Sequence, residues 1–400
     1  VFHMPDGNLK GYGHWGPIDG WRREKPEYHG VFPAYSPIKI LKREFDPGKP
    51  IVLTVQNRFN FTNLAALEVR WSVPGTVRST KPDAVAPGGI GTIVLPTGEL
   101  PDDYAVDVVI TDPRGVVVAR ECFRSPAKPA GPVDATTNPA NAGISVDGTR
   151  IRLGKFTMPA PMPMVLPLNG EGGTAGPAGS VLANEIAPFT PLPGDWQPVI
   201  RIENNTCLID GETSDLRAII RITPAAHGGY TVDWEAKMKK DINPRQWGIV
   251  FTLPRAFDTL TWDRMADVSW YPDTHLARPR GHAKANPVVR QLVEEPGVQP
   301  VHPWAHDANA LGTADFRSTK IHIVRAALGD GRTNFMVLSP DASQSTRAWV
   351  DGESIRLLVA RYNTGGSDGF FATHYAAERR PLKAGDVIRS KFTISTEAIP

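Results

Sequence analysis

A chain of 400 residues with 44 Lys and Arg against 42 Asp and Glu carries a net charge of +2, long enough for two or three domains and without the basic excess that a phosphate backbone reads. No apolar run approaches the roughly 18 residues that a membrane helix requires, so neither nucleic acid nor membrane is an expected partner. The two cysteines, Cys122 and Cys207, belong to no metal-ligand or disulfide spacing, and no cofactor or metal is expected. With 37 Gly and 38 Pro the sequence is punctuated too often for long helices and suits short strands joined by turns.

In chain order, residues 1–7 have no basic region followed by an apolar one, so a signal peptide is not expected there. Residues 1–36 read as loop-like, rich in aromatics and glycine, and too poor in apolar periodicity to form a domain alone. Short alternating runs then follow: Ile38–Ile40, Ile51–Val55, Glu68–Val73, Gly91–Leu95, Asp103–Ile110 and Gly115–Arg120, with Asp112–Gly115 as a hairpin turn. About seven strands over residues 37–125 predict an immunoglobulin-like β-sandwich. Residues 126–143, threaded with Pro126, Pro129, Pro132 and Pro139, read as an extended linker. From 144 to 400 strands resume, at Ile144–Val146 and Thr149–Leu153, and run on to Ile388–Ile394, which predicts one large β-sandwich. Within it Pro159–Pro198 reads as a long ordered loop holding Met162, Met164, Leu166 and Trp196.

Several segments resemble glycoside hydrolase family 2, the enzymes of the large β-galactosidase type. The segment Trp15–Tyr28 looks like the exit from that family's catalytic barrel, and Asn57–Leu64 with Glu68–Trp71 like the opening of the immunoglobulin-like domain behind it. Trp262–Arg264, Trp270–Gly281 and Leu311–Lys320 look like signatures of the family's C-terminal domain, a mutarotase-like supersandwich known as the small chain when it is a separate polypeptide. The resemblance implies an all-β chain: a barrel remnant at 1–36, the immunoglobulin-like sandwich at 37–125, the linker at 126–143 and a galactose-mutarotase-like supersandwich at 144–400. It also implies that the two catalytic glutamates lie on barrel strands preceding Val1, so no catalytic residue is expected in this chain.

Three local motifs imitate sites. Asn184-Glu185 mimics an acid/base pair, but the prolines around it leave no buried barrel strand on which to project a carboxylate. His302 and His306 are separated by Pro303, which breaks the helix that would align them on a metal. Glu294 and Glu295 are adjacent, and in a strand neighbours point to opposite faces. Sugar recognition needs aromatic faces and planar polar groups, and the residues of that kind in the resembling segments are His14, Trp15, Trp270, His275, Arg278, Trp304 and Arg317. An alternative stands beside it: Trp270 and Trp304 serve as core aromatics, and Arg317 pairs with Asp315 or another carboxylate.

The function expected is therefore the non-catalytic C-terminal region of a retaining family 2 exo-glycosidase, with the catalytic barrel, carbohydrate and further copies of the chain as partners. The competing expectations are a stand-alone carbohydrate-binding or structural module, and an independent mutarotase or polysaccharide lyase, which would need a convergent acid and base.

Overall fold

The computed structural model describes residues 17–18, 22–24, 26–44, 49–73, 76–96, 105–124, 143–167, 194–225, 229–265, 278–285, 316–317, 319–339, 341–363 and 380–398. The architecture is all-β, in two compact units: one comprises Gly16–Ala130 with Ala266–Arg280, the other Gly131–Met265 with Gly281–Pro400.

The first unit has seven strands, β1 (Ile38–Glu44), β2 (Ile51–Asn57), β3 (Glu68–Val73), β4 (Thr76–Thr80), β5 (Ile90–Leu95), β6 (Ala105–Thr111) and β7 (Val117–Arg124). They form two antiparallel sheets of order β1-β2-β5 and β4-β3-β6-β7, an immunoglobulin-type sandwich. Alternation sets the faces: Ile51, Leu53 and Val55 point inward from β2 and Val69, Trp71 and Val73 from β3, all into one core. The turn at Asp112–Gly115 is as its sequence predicts. Asp112 accepts the Arg114 and Val116 N–H groups at 2.9 and 3.0 Å, and Gly115 sits at φ 81°, which only glycine adopts freely. The fully buried Asn57 joins loops at one end, its amide donating to the Thr62 and Val85 carbonyls, both at 2.9 Å.

One correction concerns the loop-like reading of residues 1–36, because Pro26–Tyr35 forms an α-helix, α1. Proline at the first helical position loses no intrahelical bond, and Pro37 disfavours helix at Ser36. The helix is held by docking. Phe32 lies under the Arg120 guanidinium at 5.8 Å, His29 is buried, and the Ser36 hydroxyl donates to the Val118 carbonyl at 2.8 Å while accepting the Ile38 N–H at 3.1 Å. The Arg43–Glu121 ion pair, 3.3 Å, ties β1 to β7 beside it.

The second unit contains β8 (Ile144–Asp147), β9 (Arg150–Leu153), β10 (Phe156–Pro159), β11 (Met162–Pro167), β12 (Gln197–Glu203), β13 (Thr206–Glu212), β14 (Leu216–Pro224), β15 (Tyr230–Met238), β16 (Pro244–Pro254), β17 (Thr259–Arg264), β18 (Arg280–Lys284), β19 (Lys320–Gly329), β20 (Thr333–Leu338), β21 (Gln344–Asp351), β22 (Ser354–Asn363) and β23 (Val387–Ala398). Thirteen of them make one sheet along the path β11-β16-β22-β21-β19-β20-β23-β15-β14-β13-β12, with β17 and β18 branching from β19. The path doubles back on itself. Phe251 of β16 packs against Phe335 of β20 and Phe392 of β23 (centroids 5.0 and 6.2 Å), and Trp234 of β15 against Trp247 of β16 at 5.8 Å, although these strands stand far apart along the ladder. The result is a large sandwich whose two layers belong to one sheet, with the small sheet β10-β9-β8 closing one side through Phe156, which meets Phe257 and Phe335. The long loop expected at Pro159–Pro198 is likewise corrected in part, since Met162–Pro167 is an edge strand paired with β16.

The ladder slips by one residue between Trp247 and Gly248, where β16 meets β22. A Cβ on Gly248 would stand 2.1 Å from the Val359 carbonyl oxygen, so Gly248→Ala must part the strands. We expect it to lower stability by about 1–3 kcal/mol, and Phe251→Ala by about 3–5 kcal/mol, in denaturant unfolding followed by tryptophan fluorescence. An unchanged midpoint for both would contradict this packing.

Burial and the nearby Arg120 cation hold the His29 pKa below its ordinary 6.5, against the opposing pull of Glu24. The unfolded imidazole therefore takes up a proton before the docked one, and docking stability is fully present above about pH 6.5 and falls as pH drops through that value. Hydrogen exchange should show α1 losing protection on acidification, and losing less in His29→Phe.

Candidate functional site

The strands of the large sheet differ in what their second face meets. On β14 and β15 burial alternates strictly, with Arg217, Arg221, Asp233 and Lys237 outward. On β21 and β22 the runs Thr346–Trp349 and Leu357–Ala360 are buried on both faces. That doubly buried region carries the densest set of buried polar side chains among the described residues.

Gln246 on β16 is its hub. Its carbonyl oxygen accepts the Arg347 Nε–H at 2.9 Å, and its amide nitrogen donates to Thr319 Oγ1 at 2.8 Å and Asn363 Oδ1 at 2.6 Å. The amide thus uses both donors and its acceptor on groups from three other parts of the sheet, where an unpaired group would cost roughly 1–3 kcal/mol. Arg347, 2% exposed, holds its guanidinium carbon over the Trp349 ring, 4.6 Å from the centroid. Strand periodicity accounts for this, since residues two apart share a face. Trp349 leads into an apolar cluster of Met164, Val250, Leu358 and Ala360. Close by in sequence, the fully buried Lys320 donates to the Phe316 carbonyl at 3.3 Å and stands 4.9 Å above Trp262.

Such a set can orient a ligand or fix strand register. Its described members are cations, amides and a hydroxyl, groups that donate and accept hydrogen bonds. Among the described residues no group of three or more His, Cys, Asp or Glu side chains could hold a metal ion, and no helix is long and apolar enough to cross a membrane.

Of the residues singled out from the sequence, two are described. Arg278 is buried in the first unit and pairs with Asp107 of β6 at 2.9 Å. Arg317 belongs to the second unit, two residues before Thr319; it is partly buried, and desolvation holds its guanidinium pKa below the ordinary value. The two are not brought together in one unit. His14, Trp15, Trp270, His275 and Trp304 lie outside the described residues, as do Glu185, His302, His306, Glu294, Glu295 and residues 125–142 of the linker region. Sequence reasoning missed Gln246, Arg347, Trp349 and Asn363. The one local signal was the spacing Arg347-Ala348-Trp349 within a strand pattern, which puts a guanidinium beside an indole.

No family model matches the chain, and no curated protein does. Among solved structures, an exo-chitosanase from Amycolatopsis orientalis is 16% identical, with 62% of this chain and 22% of the enzyme covered at a TM-score of 0.19. A galactose mutarotase-like protein from Lactobacillus casei is 9% identical over 75% of this chain and 98% of its own, TM-score 0.29. An archaellum periplasmic stator protein from Sulfolobus acidocaldarius is 14% identical over 22% of this chain and 98% of its own, TM-score 0.18. At TM-scores this low none of these likenesses identifies a fold or a function, and the class defined by the coordinates is a two-unit β-sandwich protein.

Because Gln246 links three groups, Gln246→Ala should lower stability by about 1–3 kcal/mol, and Gln246→Glu should keep the Arg347 contact while losing the donors to Thr319 and Asn363. Equal stability of Gln246→Ala and the native chain in guanidinium unfolding would show that the network is dispensable.

Proposed function

We propose that the chain is the non-catalytic C-terminal region of a retaining family 2 exo-glycosidase, acting on β-galactosides, which supports the catalytic barrel, helps close the sugar site and mediates subunit contacts. The observation that carries this reading is the order of architectures: an immunoglobulin-type sandwich followed by an outsized sandwich, in the order implied by the motifs at Trp15–Tyr28, Asn57–Trp71, Trp262–Gly281 and Leu311–Lys320. Arg317 and the segments holding His14, Trp15, Trp270, His275 and Trp304 remain the proposed sugar contacts. Arg278, which pairs with Asp107 at 2.9 Å, stays in that set.

Retaining hydrolysis needs two carboxyls about 5–5.5 Å apart, and in this reading both reside in the barrel. The purified chain should therefore release no nitrophenol from nitrophenyl β-galactoside, and Glu185→Gln should behave identically. Turnover that disappears in Glu185→Gln would overturn the proposal, as would an upstream reading frame without a barrel bearing two glutamates.

A further inference from the structure

A strand at the edge of a sheet presents unpaired N–H and C=O groups, and natural proteins blunt such edges with proline or charge. The described edge strands follow this rule with one exception. In the second unit β11 carries Pro163, β12 has Pro198 with the Arg201–Glu203 pair, β10 ends in Pro159, β8 in Asp147, and β18 holds Arg280 and Lys284. In the first unit β4 carries Arg78, and the β1 and β7 edge is closed by the Arg43–Glu121 pair and by α1. The remaining edge, β5, reads Ile90-Gly91-Thr92-Ile93-Val94-Leu95, with no proline and no charge. Its outward side chains are apolar or hydroxylated and stand in water, Ile90 at 63% and Val94 at 41% exposure. Among the described strands its ladder is made with β2 alone.

We propose that β5 pairs antiparallel with β5 of a second copy of this chain, about a two-fold axis through Thr92. The register follows from the residues. With Thr92 opposite itself, Ile90 faces Val94 of the second copy and Val94 faces Ile90, so both outward apolar side chains gain a cross-strand neighbour. The row already formed with β2, where Val94 pairs Val52 and Thr92 pairs Thr54, then continues across the axis. A two-fold axis sets like against like at its centre, which favours an uncharged strand. Pro87 and Pro96 flank the run and limit the pairing to about six residues. Two sheets of order β1-β2-β5 would merge into one of six strands. The paired edge is small against the ~1,200 Å² of a standard interface, so the contact is weak unless other surfaces join it.

The test uses the full chain. Residues opposite each other across an antiparallel pair have Cα atoms about 4.5 or 5.5 Å apart, both within disulfide range. Thr92→Cys should therefore form a disulfide-linked dimer under mild oxidation. Val77→Cys, on β4 and 71% exposed, should not, and the native Cys122 and Cys207 are buried. In sedimentation equilibrium the native chain should rise above its monomer mass with concentration, and Thr92→Lys, a substitution at an exposed position, should stay monomeric. Crosslinking of Thr92→Cys no faster than Val77→Cys, or self-association unaltered by Thr92→Lys, would overturn the proposal.

Discussion

Thirteen strands in one sheet have more apolar surface on a single face than a separate cover could match, and the way this surface is hidden determines most of the second unit. The ladder turns until Phe251 of β16 meets Phe335 and Phe392, whose strands lie several places further along it. Fully burying such a side chain is worth roughly 1.5–3 kcal/mol, and the contact has a geometric effect as well. It makes the inner face continuous and leaves the outer face to divide in two, wet along β14 and β15 and buried along β21 and β22. The ladder slips at Gly248, where only a residue without a side chain tolerates the Val359 carbonyl so close.

The buried outer region accounts for the polar hub. A guanidinium kept from water must find acceptors and a flat surface, and Arg347 has Gln246 for the first and Trp349 for the second. Because Gln246 also reaches Thr319 and Asn363, the hub holds parts of β16, β21, β22 and the approach to β19 in one register.

Much of the fold was legible in the sequence because alternation is a local signal. Glu68–Val73 is a strand to the residue, and Asp112–Gly115 turns as an aspartate followed by proline and glycine should. Proline misled in two places. Met162–Pro167 reads as loop, yet an edge strand pairs on one side only and can spare the N–H that proline lacks. Pro26–Tyr35 has poor helix formers and is held by Arg120 and, through Ser36, by the Val118 carbonyl, both from a distant part of the chain, a tertiary effect with no local trace. The polar hub was hidden for a related reason. Gln246 lies 73, 101 and 117 residues from Thr319, Arg347 and Asn363, and nothing in its neighbourhood announces them.

The place of β23 has a consequence for biosynthesis. The last of the described strands in chain order, Val387–Ala398, is inserted between β20 and β15 in the interior of the sheet. Until it arrives the two halves of the ladder have no partner for their facing edges. At about 5–20 residues per second the wait after β15 emerges is on the order of ten to thirty seconds, during which Val232 and Trp234 on one side and Phe335 and Val337 on the other lack their eventual neighbours. Nascent chains of this protein thus depend for that interval on whatever shields an open strand, and a chain cut before Val387 would stay in that state permanently.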